Sequence, residues 1–181
     1  MNINKMIASI LKNEGGFVDH ANDKGGATNH GITANVYADF LGVNSDYFYL
    51  TDLIKVMPES TAEMIYKEAY YYHPKIDLLP EAIQNQILDM AVNHGANRAY
   101  KILQTALNKL LGSELVVDGY FGKMSWNALD RVLSDLSGLN NSLVFARIDF
   151  YNAIVKRDDT QKVFLKGWLN RANKFLKGTQ K

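Results

Sequence analysis

Apolar residues recur at three- and four-residue intervals along most of the chain, the spacing that lines one face of a helix. Ile3, Met6, Ile7, Ile10 and Leu11 predict a helix over residues 3 to 13, stopped by Gly15 and Gly16. Thr33 is placed to cap a second helix carrying Val36, Tyr37, Phe40 and Leu41, ended by Gly42. A short helical turn follows Thr51. The box "STAE", Ser60 to Glu63, opens a helix that Pro74 closes. Pro80 starts the next helix, which Gly95 stops, and residues 97 to 111 carry Ile102, Leu103, Ala106, Leu107, Leu110 and Leu111 up to Gly112. "VVDGYFGKMS" departs from the pattern: two valines before an Asp-Gly turn predict a short extended piece. Helices resume from Ser125 to about Leu136, from Ser142 to about Lys156 and from Thr160 to about Lys177. The expected fold is mostly α.

Composition narrows this further. The chain has 181 residues, 47% apolar and 22% charged, which suits one domain, or one with an appended lobe, around a sizeable core. There is no fixed-period repeat and no linker-like tract, so the second half is expected to pack on the first as one body. A net charge of +1 gives no global attraction to nucleic acid. Absence of cysteine excludes disulfides and thiolate chemistry. The start reads as no signal peptide, and no apolar run approaches the roughly 20 residues that span a bilayer. If the substrate lies outside the cytoplasm in which the chain is made, other machinery must release the protein. A monomer is expected.

The densest chemistry lies in "NEGGFVDHANDKGGATNHGIT", Asn13 to Thr33. Glu14 falls at a helix C-terminus, whose partial negative charge disfavours an ionised carboxylate. Shielding by neighbours such as Phe17 would raise its pKa further. Such a carboxylic acid can protonate a leaving oxygen, as glycosidic cleavage requires. Asp23 can hold a water or face positive charge at the anomeric carbon, and Thr28 can position that water. Spacing alone leaves the plainer alternative open: a solvated helix end followed by a turn aspartate.

The motif resembles the signature of glycoside hydrolase family 108, the N-acetylmuramidases of phage endolysins and related bacterial lysis proteins. Glu14, Gly15, Gly16, Phe17, Gly25, Gly26, Thr28, Gly31, Ile32 and Thr33 match its pattern. Later segments are similar too: "YKEAYYYHPKIDLLP", with tyrosine where the family has tryptophan, and "DMAVNHG", with Asp89, Asn93 and Gly95. "LQTALN…VDGYFG…W" and "FLKGWLNRANKF" look like the peptidoglycan-binding region that follows. The resemblance implies a lysozyme-like helical fold with a catalytic N-terminal half, residues 1–92, and a helical peptidoglycan-binding lobe, residues 93–181. It implies Glu14 as the catalytic residue, and no metal or other cofactor. The order Glu14, Asp23, Thr28 resembles phage lysozymes generally, with Asp23 and Thr28 one residue closer than in the T4-like group. Prolines common in this loop are replaced by Ala21 and Lys24.

Other groups fill in the site. Four histidines form no paired metal motif; His20 and His30 are read as loop residues near the cleft. Tyr70, Tyr71 and Tyr72 point in different directions on a helix, and Tyr71 and Tyr72 are the candidates for stacking on a sugar, with Tyr37 either core or cleft. Thr33 is a further substrate-binding candidate. Asn93 either binds an acetamido group or caps a helix. Residues from Lys156 onward hold eight Lys or Arg, a partly basic helix that either meets an anionic envelope or is simply solvated. The expected partner is peptidoglycan. Two rivals to hydrolysis are a lytic transglycosylase, disfavoured by Asp23 and Thr28, and a non-catalytic wall-binding protein, disfavoured by the intact Glu14 motif.

Overall fold

The computed structural model of the chain describes residues 3–13, 15–19, 26–44, 46, 49–112 and 115–178. The chain divides into two compact units, Met1–Pro74 and Lys75–Lys181. Among the described residues there are nine α-helices and one two-stranded sheet, the mostly α, lysozyme-like class that the periodicity and the resemblance predict.

In the first unit, α1 spans Ile3–Asn13. Met6, Ile7, Ile10 and Leu11 are buried, as their spacing predicts. Full burial of such a side chain contributes about 1.5–3 kcal/mol. α1 packs on α4, Glu59–Lys67, which buries Ala62, Ile65 and Tyr66. Between them lie a hairpin of β1, Thr28–Asn29, and β2, Ile32–Thr33, then α2, Ala34–Leu41, and α3, Leu50–Lys55. The Thr33 cap is present: its Oγ1 accepts from the Val36 N–H at 3.4 Å.

Two expectations here are corrected. α4 begins at Glu59, without a Ser60 cap. The extended Pro58 offers its carbonyl to the N–H groups of Thr61 and Ala62, at 2.9 and 3.1 Å. Nor does the α-helix run on to Pro74. After Lys67 the backbone widens into a π-helix, Glu68–Tyr72, in which the His73 N–H donates to the Glu68 carbonyl at 2.8 Å. A run of tyrosines is amphipathic in every direction, so periodicity cannot register the widening.

In the second unit, α5, Glu81–His94, packs on α6, Ala96–Leu111, and both pack on α8, Leu136–Arg157; α9, Lys162–Asn173, lies on α8. α7, Lys123–Asp130, adjoins α6. Here α7 stops before the expected Leu136, and α8 starts well before Ser142. Asp135 caps α8 by accepting from the Gly138 N–H at 2.7 Å. Asn140 and Asn141 look like turn residues in sequence because their amides compete with helix bonds. In the fold those amides have distant partners instead. Asn140 Nδ2 donates to the Phe175 carbonyl at 2.7 Å, and Asn141 exchanges 3.0 Å bonds with the backbone of Lys177. The same bonds hold the chain after Asn173, so α9 ends short of the expected Lys177. The extended piece at "VVDG" is not a strand: Val116 and Val117 are exposed in an irregular loop.

A buried polar cluster ties α5, α8 and α9 together. Arg147 Nη2 donates to Asp89 Oδ2 at 2.6 Å, and Arg171 Nε donates to Asp89 Oδ1 at 2.9 Å. Arg171 is therefore committed inside the unit and is subtracted from the basic C-terminal surface. Arg147 Nε also donates to the Tyr151 hydroxyl oxygen at 2.8 Å, which frees the Tyr151 proton for His94 Nε2, 3.0 Å away. In this network His94 is a neutral acceptor. Burial, and then the Arg147 guanidinium, lowers its pKa to about 4 from 6.5. Unfolded, His94 takes up a proton near 6.5; folded, only near 4. Its contribution to stability is thus intact above pH 6.5 and is lost as pH falls toward 4, on the order of 2 kcal/mol after allowance for residual exposure. The denaturant midpoint should fall further between neutral and mildly acidic pH for wild type than for His94→Gln. An equal acid loss in both proteins would refute this assignment.

Candidate active site

The described part of the Asn13–Thr33 segment is framed by backbone pairing. Val18 and Thr28 exchange N–H···O bonds of 2.8 Å in each direction, forming an antiparallel bridge. Thr28 also pairs with Thr33 across the hairpin. The half-buried Thr28 thus commits both its backbone groups to Val18 and faces Thr33 across the hairpin. Glu14, His20 and Asp23 lie outside the described residues. Phe17 is half-buried, and the Lys55 ammonium sits 5.8 Å from its ring centroid.

Two residues that sequence reading passed over hold this frame in place. Asn29 is 5% exposed, and its Nδ2 lies 2.9 Å from the Ile54 carbonyl and 3.2 Å from that of Lys55. It thereby satisfies carbonyls at the C-terminal end of α3, which a helix leaves unpaired. Tyr66 of α4 donates its hydroxyl to the His30 carbonyl at 2.8 Å. His30 and Gly31 both have positive φ, 52° and 75°, the requirement of a type I′ hairpin turn. In sequence Gly31 was visible only as a position of the family pattern. The partners of Asn29 and His30 lie far along the chain and left no signal.

α2 and the π-helical turn enclose a cleft of about 880 Å³. α2 contributes Val36, Asp39 and Phe40; the turn contributes Glu68, Tyr70 and Tyr72, with His73 following. The π geometry sorts the three tyrosines. Tyr72 is 44% exposed in the cleft, Tyr70 lines it, and Tyr71 is buried and meets the Tyr72 ring edge-on at 5.2 Å. Tyr37, on α2, is buried. Asn93 belongs to the second unit, where its exposed side chain donates to the Asp89 carbonyl at 2.6 Å. Among the candidates named from sequence, the structure thus pairs Thr28 with Thr33, puts Tyr72 in the cleft with Tyr71 behind it, and leaves Asn93 in the other unit. Chemically, the cleft combines aromatic faces with two carboxylates and an imidazole. Aromatic faces suit the C–H side of a sugar ring, and carboxylates accept from its hydroxyls. Among the described residues, no three His, Asp or Glu side chains are grouped to hold a metal ion.

Comparison with known proteins identifies two families along the chain. Residues 7–95 match the family described as "Glycosyl hydrolase 108", and residues 98–173 match "Predicted Peptidoglycan domain". The chain is similar to the solved structure of SagA from Brucella abortus, at 29% identity and a TM-score of 0.74, with 96% of this chain and 90% of that one covered. No curated protein matches the sequence. The family boundary near residue 95 and the packing boundary at residue 74 differ because α5, inside the hydrolase match, packs on α6 and α8. The chain is a peptidoglycan hydrolase: residues 7–95 belong to glycosyl hydrolase family 108, and residues 98–173 to the peptidoglycan domain that accompanies it.

Proposed function

We propose that the enzyme is an N-acetylmuramidase, cleaving the β-1,4 bond between N-acetylmuramic acid and N-acetylglucosamine to lyse a bacterial wall. Glu14 protonates the bridging oxygen, Asp23 supports the water or the oxocarbenium-like centre, and Thr28 orients the water. Thr33 and the aromatic residues near the cleft bind the glycan, with Tyr72 the group best exposed to do so. The observation that carries the reading is the family match across residues 7–95, which contains the Glu14 motif. The anchored backbone of Thr28 supports a positioning role. In this reading the protein acts at the wall after delivery by other machinery, and its remaining C-terminal lysines add a weak attraction to the anionic envelope.

The products decide the bond and the nucleophile. Digested sacculi should give muropeptides with a free N-acetylmuramic acid end, which borohydride reduces with a gain of two hydrogens. Anhydro ends, lighter by one water, would make the enzyme a transglycosylase. Reducing glucosamine would mean that the other glycosidic bond is cut.

Asp23→Asn removes charge and keeps a hydrogen-bonding group, so turnover should fall by less than on loss of Glu14. Full turnover of sacculi by this variant would reduce Asp23 to a turn residue.

A further inference from the structure

The second unit contains a cavity of about 350 Å³ that the hydrolytic reading does not use. Its wall is the loop from Leu115 to Gly122 and the start of α7. This loop is exposed yet firmly built. Gln104 of α6 is 1% exposed; its Nε2 lies 3.0 Å from Asp118 Oδ1 and 3.1 Å from the Tyr120 carbonyl, and its Oε1 accepts from the Gly119 N–H at 2.9 Å. Gly119 has φ 80°, and a Cβ there would come 2.4 Å from Asn97 Nδ2. Phe121 turns inward, stacked on Tyr100 at 5.1 Å and edge-on to Trp126 at 5.0 Å. Tyr120 turns outward and is 77% exposed, its ring lying where a Cβ of Gly122 would meet it at 2.7 Å. Val116 and Met124 are also strongly exposed. A buried amide thus holds an apolar, solvent-facing rim in one conformation, which lowers the ordering cost of binding.

The same cavity carries two opposite charges, Asp118 and Lys123. No ion pair joins them among the described residues. Hydrogen bonds from the Gln104 amide and the Tyr120 N–H lower the Asp118 pKa, so it presents a carboxylate. An uncharged glycan of N-acetylated sugars would bring no counter-charge to either. The peptide that cross-links such glycans has small apolar side chains, a free carboxylate and a free amine.

We propose that this cavity seats the stem peptide of peptidoglycan, with its carboxylate at Lys123, its free amine at Asp118 and its alanyl methyl groups against Val116, Tyr120 and Met124. The assignment rests on peptidoglycan being the target. It adds that the second unit reads the peptide, not the sugar, so the enzyme is held where stems are present.

The test uses the full chain and two probes: stem tetrapeptide released from sacculi by an amidase, and a peptide-free N-acetylglucosamine tetrasaccharide. The tetrapeptide should shift the amide resonances of Val116, Tyr120, Lys123 and Met124, and its binding should weaken with added salt. Lys123→Glu should weaken it about tenfold, equivalent to about 1.4 kcal/mol. Tyr120→Ala should weaken it as well, with amide dispersion elsewhere unchanged in both variants. Shifts of these four amides by the tetrasaccharide alone, or by neither probe, overturn the proposal. Sacculus hydrolysis by the same samples separates the two readings. Hydrolysis without peptide binding sinks this inference and leaves the muramidase reading standing; peptide binding without hydrolysis does the reverse.

Discussion

Glu14→Gln is expected to lower sacculus lysis by about 10² to 10⁴, the usual contribution of a positioned general acid. Glutamine keeps the size and a hydrogen-bonding amide but has no proton to deliver to the bridging oxygen. In sequence Glu14 directly follows Asn13, the last residue of α1. The buried face of α1 is Met6, Ile7, Ile10 and Leu11, which the substitution leaves alone, so circular dichroism and the thermal midpoint should match wild type. Activity is read as release of soluble muropeptides from purified sacculi. Normal release by a Glu14→Gln protein with an unchanged spectrum would end the mechanism proposed above.

Asp89→Ala should cost about 3–5 kcal/mol of stability, because it strands a buried guanidinium without its counter-charge. Arg147 is 0% exposed and Arg171 approaches the same carboxylate from α9, so one deletion leaves two cations facing each other across a cavity. The Arg147 and Tyr151 rotamers, and with them the His94 hydrogen bond, depend on that anchor. The comparison that isolates the electrostatic part is Asp89→Leu combined with Arg147→Met. This removes both charges at similar volume and should recover much of the loss, since a buried pair is often replaceable by well-packed apolar groups. Urea midpoints at neutral pH measure both proteins. A loss below about 1 kcal/mol in Asp89→Ala would show that water, not Asp89, solvates Arg147.

The elements of the fold were largely written in the order of apolar residues. α1, α2, α5 and α6 lie within a residue or so of the spans read from spacing, with Gly42, Gly95 and Gly112 at their ends. Such features are local: a helix face and its stop signal lie within a few residues of each other. The family was legible for the same reason, since the Glu14 to Thr33 motif is one contiguous segment. What sequence could not reach depends on partners far along the chain. α8 runs through Gly138, Asn140 and Asn141 because Asp135 caps it and because Phe175 and Lys177 occupy the asparagine amides. Asp89 was visible only as a motif position, and its meeting with Arg147 and Arg171 required three helices to pack. Asn29 and Tyr66 hold the hairpin beside Thr28 through bonds spanning 25 and 36 residues. Helices, family and the contiguous motif on which the proposed mechanism rests could thus be read from the chain alone, because they are short-range properties of it. Which polar side chains anchor that motif, which tyrosine faces the cleft and where charge is buried emerge on folding, because each depends on a partner distant in the chain.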